Sequence, residues 1–417
     1  MEGLIERRAA ALVAESLEAF RVVVVHGPRQ AGKSTLAQAA AARMGAPYIT
    51  FDDEDQRQAA QADPRTFLDV IGTPAVFDEV QRAGDAFVLA IKAVVDRDPR
   101  PGRYLLTGST NFLTIPTLSE SLAGRVDIIP LLPLAEIERS GADGTFIDRA
   151  FAGVEALTAH DGATPSRDEY LKRCVQGGYP GLPGAGRSRQ RWFSAYIDAV
   201  LAREVHDVAD LRRADALAGM VRLLAASTAQ ELVVSKLAAR LNLDRAAAAT
   251  YEPWIETVFL AHRVPAWSRN LTAKVVRRPK IFAVDTGLAA AVLGKDVAAL
   301  RRPTDPAAGP LVETLVANEL TKQLPWADQP VRLHHMRETG GAEIDLVLEH
   351  GDGRVVGLEI KASSTPRRED ARWLAQLRDR LRTHGDDFTC GIVLHTGEAR
   401  LSLGDRLIAL PVADLWT

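Results

Sequence analysis

The sequence predicts an α/β protein in three parts: a parallel sheet covered by helices, a helical middle ending in a winged-helix pattern, and a second, smaller α/β domain. Three observations carry this. Up to Leu131, short apolar runs alternate with helical patterns, and continuous apolar strands between helices imply a parallel sheet buried on both faces. From 188 to 250 the pattern is almost purely helical and rich in Ala, Leu and Arg. Beyond 331 mixed α/β patterning returns, with two alternating runs around Gly351-Asp352-Gly353, a hairpin signal.

In order, the first part reads as a helix over 4–20, then strands at 21–26, 48–51, 75–77, 103–107 and 126–131, with helices at 33–44, 57–70 and 85–97 between them. Linkers are expected near 135–145 and 295–310, the second marked by Arg301-Arg302-Pro303 through Gly309-Pro310. The expected domains are therefore 1–140, 141–295 and 296–417. Strands are expected near 264–268 and 280–284 as the wing, and near 331–337, 342–349, 354–360 and 388–394 in the last part.

With 417 residues, two or three domains are the starting expectation, and 47% hydrophobic with 25% charged residues is the balance of a soluble protein. A net charge of −3 excludes a wholly basic nucleic-acid coat but leaves room for a local basic patch. Cys174 and Cys390 stand far apart, with no metal spacing and no disulfide framework, which fits a reducing cytoplasm. The longest apolar run near the N-terminus, Val22–Val25, is too short for a membrane helix, so no membrane association is expected.

The sharpest motif is Gly27-Pro28-Arg29-Gln30-Ala31-Gly32-Lys33-Ser34, a complete GxxxxGK[ST] between an apolar strand and a helix. The glycines permit a backbone path that turns N–H groups toward phosphates, and the helix N-terminus adds positive potential there. Lys33 is expected on the β and γ phosphates and the Ser34 hydroxyl on magnesium; Thr35 completes the nucleotide-binding run. The strand Ala75–Phe77 ends in Asp78-Glu79. Asp78 is expected to hold magnesium, through a water, and Glu79 to orient and deprotonate the attacking water. At 105–111, strand-ending hydroxyl and amide groups, Asn111 among them, could sense the γ-phosphate, or simply make a turn. Arg125 could stabilise transition-state charge, in its own subunit or a neighbour's.

This run of motifs (the P-loop, VFDEVQ at 76–81, LLTGST at 105–110, SLAGR at 121–125 with IIPLLPL at 128–134, and GGYP at 177–180) resembles the large prokaryotic family of AAA-type ATPases that carry a C-terminal domain of unknown function. The resemblance implies an AAA-like sheet, ATP rather than GTP, and Arg125 as the arginine of SLAGR.

Residues 235–245 read as helix, short turn, helix, with Asp244 suited to cap the second helix over about 245–260. Arg269, Lys274, Arg277, Arg278 and Lys280 follow with no acid among them, a cationic wing able to contact DNA phosphates without choosing a sequence. In the C-terminal part, a turn centred on Asp352 sets Asp345 opposite Glu359. Period two then places Glu343, Asp345, Glu359 and Lys361 on one face and Ile344, Leu346, Leu358 and Ile360 on the other. Facing carboxylates repel unless a cation sits between them. With Glu313 as a third ligand and Lys361 beside the water, the pattern resembles the PD-(D/E)xK nuclease fold; lysine and arginine could equally neutralise the face without catalysis. The expected function is ATP hydrolysis with magnesium, by a homo-oligomer, coupled to movement or remodelling on DNA. The alternatives are an ATP-controlled, metal-dependent endonuclease and a nucleotide-dependent switch gating a protein interaction.

Overall fold

Five short strands form the sheet of the N-terminal part: β1 (Val22–His26), β2 (Tyr48–Thr50), β3 (Ala75–Asp78), β4 (Tyr104–Gly108) and β5 (Val126–Pro130). They pair in parallel in the order β2-β3-β4-β1-β5. β1, β3 and β4 are buried along their whole length, as continuous apolar runs require. One face is covered by α1 (Ala9–Ala19) and α2 (Lys33–Met44), which pack Val13, Leu36 and Ala41 on Val23, Val25 and Leu105. The other packs Phe51, Phe77 and Tyr104 against Phe87 and Ile91 of α5 (Asp85–Arg97). The single helix expected at 57–70 is two, α3 (Glu54–Ala62) and α4 (Pro64–Ile71). Asp63 divides them: its carboxylate accepts from the N–H groups of Arg65 and Thr66, and Pro64 takes the first helical position, where no N–H is needed.

The computed structural model describes residues 5–109, 124–159, 162, 164–184, 186–207, 214–241, 256–268, 278–338, 341–383, 385 and 387–417. They form two compact units: residues up to Leu134 with Tyr179–Gly181 and Glu256–Phe259 make the first, and the rest make the second. No helix among the described residues is long and apolar enough to cross a membrane.

In the second unit, β8 (Lys280–Ala283) lies where the second wing strand was expected, but its antiparallel partner β7 (Ala261–Val264) lies upstream of the expected 264–268, and the two-residue β6 (Gln230–Glu231) is on the far side of β8. The helix Val234–Leu241 matches the first helix of the helix-turn-helix; residues 242–255, which hold most of the second, lie outside the described residues. The last part is a six-stranded mixed sheet, β13-β14-β12-β11-β10-β9, from β9 (Val331–Arg337), β10 (Glu343–His350), β11 (Val355–Lys361), β12 (Phe388–His395), β13 (Leu401–Gly404) and β14 (Leu407–Pro411). Sequence reading missed β13 and β14. The helical middle and this sheet share one core, in which Phe282 and Val264 cluster with Leu311, Leu315, Leu346 and Trp416. Asn318 seals the junction by donating to the carbonyls of Ala283 and Val284 at 3.0 and 3.2 Å.

The hairpin register is the expected one: Leu346 faces Leu358 and Glu349 faces Val355, and the same count sets Asp345 opposite Glu359. The faces differ from expectation. A bulge between Ile344 and Val347 shifts the pairing with β9, so Ile344 packs with Val347 on one side of the sheet and Leu346 with Leu348 on the other.

Asp285 explains the glycine at 177. Its carboxylate accepts from the Gly178 N–H at 2.6 Å and from the Leu288 N–H at 2.9 Å, capping the helix Thr286–Val292. A Cβ on Gly177, whose φ is +69°, would stand 2.3 Å from Asp285 Oδ1. Gly177→Ala is therefore expected to destabilise the chain by about 2–4 kcal/mol, from left-handed strain plus a displaced charged cap. An unchanged midpoint in chemical unfolding would refute the clamp.

Candidate active site

The P-loop leaves the carboxyl end of β1 and enters α2 at Lys33, so it stands at the sheet edge where β3 and β4 also end. Gly27 is fixed by space: a Cβ there would lie 2.1 Å from the Leu131 carbonyl oxygen. Gln30 and Gly32 adopt left-handed backbone at φ +60° and +98°, the alternation that turns successive N–H groups toward an anion. Lys33 is 4% exposed, and its ammonium donates to the carbonyls of Gly27 and Pro28 at 3.0 and 2.9 Å. Burial pushes its pKa down to about 8, against the pull of Glu79 and Asp78. Arg29, Gln30, Gly32, Lys33, Ser34 and Thr35 line a cavity of about 420 Å³, together with Asp52, Glu79, Arg82 and Pro180 of the GGYP segment.

Asp78 is buried at the end of β3. Its Oδ2 accepts from the Tyr48 hydroxyl at 2.7 Å, and its Oδ1 from the Thr107 hydroxyl. Burial first, then the bond to Asp78, holds the Tyr48 phenol well above its usual pKa. Glu79 has left-handed backbone at φ +55°, its N–H donates to Thr107 Oγ1 at 3.2 Å, and its Oε2 accepts from Ser109 at 2.9 Å and from Gln81. Thr107 thus ties the two acidic residues together, and Ser109 with Gln81 holds the second. The hydroxyls of the 105–110 run were legible as candidates; Tyr48 and Gln81 were not, and Asn111 lies outside the described residues.

Arg125 is corrected for its own subunit. Val126 pairs with Val22, the first residue of β1, whereas the P-loop follows His26 at the other end. Arg125 is level with Arg21, and five residues of strand put it about 17 Å from His26 along the sheet, at its amino edge. There its guanidinium pairs with Asp96.

Lys280 is corrected as a DNA contact. It is 1% exposed, and its ammonium lies 2.9 Å from Glu313, 3.2 Å from Glu343 and 3.3 Å from Asp345. β8 is buried on both faces, so a lysine there cannot reach solvent. Arg269, Lys274 and Arg277 lie outside the described residues, and Arg278 offers its carbonyl to His335 at 2.9 Å. The lysine stands among the carboxylates where a metal was expected. Asp345 also accepts from the Ile360 N–H at 2.8 Å, and Lys361 pairs with Glu359 at 2.6 Å. Among the described residues no group of three or more ligating side chains is arranged to hold a metal ion. Burial and Asp345 push the Glu313 carboxyl up to about 8 despite Lys280. Burial alone would lower Lys280, but Glu313, Asp345 and Glu343 outweigh it and raise it. An ammonium thus stands among three carboxyl groups, with Glu313 drawn toward its protonated form.

Comparison with known proteins agrees with the P-loop geometry. The AAA domain model matches residues 19–139, and two domains of unknown function, DUF8612 and DUF4143, match 167–299 and 308–415. Over 424 aligned residues the chain is 30% identical to protein Rv2008c of Mycobacterium tuberculosis, covering 99% of this chain and 85% of that one; Mb2031c of Mycobacterium bovis matches equally. The chain belongs to their family. Its N-terminal unit is of the AAA P-loop ATPase type. Among solved structures, the Walker-type ATPase PABY2304 of Pyrococcus abyssi is 14% identical, over 70% of this chain and 97% of that one, with a TM-score of 0.43. The RuvB Holliday junction branch migration motor of Thermotoga maritima is 17% identical, over 63% and 90%, with a TM-score of 0.29. Both are distant likenesses. In this AAA-type ATPase, Lys33, Ser34, Asp78 and Glu79 come together at one sheet edge, and the C-terminal carboxylates form a separate cluster in the second unit.

Proposed function

We propose that the chain is a magnesium-dependent ATP hydrolase whose turnover is spent on DNA. The observation that carries the hydrolase is the convergence of Lys33, Ser34 and Glu79 on one cavity, with Asp78 fixed behind them by two hydroxyls. This donor set fits magnesium: a hydroxyl and a carboxylate, both hard oxygen ligands, beside a phosphate cradle. Ser34 and Asp78 would hold the ion, which would neutralise phosphate charge. Lys33 leaves the P-loop carbonyls for the β and γ phosphates. Glu79, held by Ser109, takes the proton of the attacking water. Arg125 acts only from a neighbouring subunit, which is the sequence's case for a homo-oligomer.

The DNA reading rests on Arg269, Lys274, Arg277 and Arg278 between β7 and β8, a stretch without acids, and it has lost Lys280. The endonuclease reading has lost its metal cluster to the same lysine. That favours, as second reading, nucleotide state gating a protein interaction through the C-terminal sheet. Steady-state ATPase at low salt, with and without single-stranded, duplex and branched DNA, separates them. Stimulation by DNA that vanishes in Lys33→Ala supports the first reading. Turnover indifferent to every DNA sinks it in favour of the switch, and no turnover in the parent sinks both.

A further inference from the structure

Tyr48 sits on the edge strand β2 opposite Val76, and its ring packs under α2 in the layer formed by Leu36, Ala37 and Ala41. By composition it is an ordinary edge-strand aromatic. Its hydroxyl does more than fill space. It donates to Asp78 Oδ2 at 2.7 Å, with the Ser34 and Gln38 side chains close beside it. Those two residues are four apart on α2, hence on one face of the helix, directly over the ring. One phenolic oxygen therefore stands between the first turn of the P-loop helix and the acidic end of β3, bonded to the latter. The Asp78 carboxylate is fixed at both oxygens, by Tyr48 on one and Thr107 on the other.

Resting on the reading that Ser34 and Asp78 hold magnesium, we propose that Tyr48 is the positioning residue of that site, fixing the orientation of its Asp78 carboxylate beside Ser34. Ser34 and Asp78 would hold the ion, with Tyr48 keeping its own proton on Asp78 Oδ2. The outer hydrogen bond then holds the carboxylate at a fixed angle, as outer partners of metal-ligating carboxylates do. The thermodynamic consequence is specific. Tyr48 should matter to magnesium–nucleotide binding and be silent toward nucleotide without the metal, because it touches the ligands of the ion and lines no part of the cavity wall.

The test is binding of a fluorescent ATP analogue to the full-length chain, titrated with magnesium and repeated in EDTA, for the parent and Tyr48→Phe. Phenylalanine keeps the ring and removes one oxygen, so the packing on α2 and Val76 survives. The expected result is a rise of about 10-fold or more in the magnesium concentration at half-saturation, the cost usual for losing an outer partner. Affinity in EDTA should be unchanged. A half-saturation equal to the parent's overturns the proposal. So does an equal loss of affinity with and without the metal, which would mark the hydroxyl as merely structural; a fall in melting temperature would accompany that outcome. If magnesium does not affect nucleotide binding even in the parent, the metal reading of Ser34 and Asp78 falls, and Tyr48's role with it. Lys33→Ala, which should bind poorly in both conditions, distinguishes that case from a chain that binds no nucleotide.

Discussion

Glu79→Gln is expected to lower ATP turnover by about 10²–10⁴-fold, the range for removing a positioned general base, while magnesium-dependent nucleotide binding persists. The two effects separate because of where the side chain sits. Glu79 follows Asp78 at the carboxyl edge of β3 and lines the cavity, but its carboxylate is tied to Ser109 and Gln81 and not to the P-loop. Both donors hold Oε2, which leaves Oε1 to receive the proton of a water. Glutamine preserves the length and an oxygen for Ser109, so geometry is kept and only basicity is lost. On the proposed reading nucleotide affinity rests on Lys33 and the P-loop N–H groups, which the change does not touch. The measurement is single-turnover hydrolysis alongside equilibrium binding. Retention of more than about a tenth of the parent rate would exclude Glu79 as the base, since such groups contribute at least 10²-fold. Lost binding would instead mean that the change disturbs the P-loop.

Local chemistry was legible in the sequence and three-dimensional neighbours were not. Residues 27–35 form one contiguous cradle, so their spacing alone implied the loop, and the strand before it and helix after it are where expected. Asp78 and Glu79 were legible because a buried strand ending in acids must place them at the sheet edge. Tyr48 was not, because nothing in a short edge strand says that its hydroxyl reaches Asp78 thirty positions away. Strict period two gave the hairpin register but failed at the bulge beside Asp345, where one extra residue changes which face follows. Lys280 misled for a related reason. A row of cations reads as one exposed stripe, but the last of them begins a strand that is buried on both faces.

That lysine carries the second large effect. Lys280→Met should destabilise the second unit by about 3–5 kcal/mol, the cost of breaking a buried ion pair by removing one partner. Methionine fills the space of the stem, so the loss is electrostatic: Glu313, Glu343 and Asp345 are left facing one another, with Lys361 committed to Glu359. The effect has a sign in pH. Glu313 is pushed up from 4.5 to about 8. A carboxyl whose pKa is raised by folding contributes stability that is fully present below its unfolded value and is lost as pH rises through its folded value. Without the ammonium, the upward push on Glu313 is stronger, so the folded variant holds more protons than the folded parent as pH approaches and passes about 8. The deficit should therefore be smaller near pH 5 and widen toward pH 8. Chemical unfolding of parent and variant at both pH values checks this. An equal deficit at the two would assign the loss to packing and leave the charge cluster without a role in stability. A deficit that widens as the carboxylates ionise would mean that the ammonium does in this sheet what a metal ion does between facing acids elsewhere.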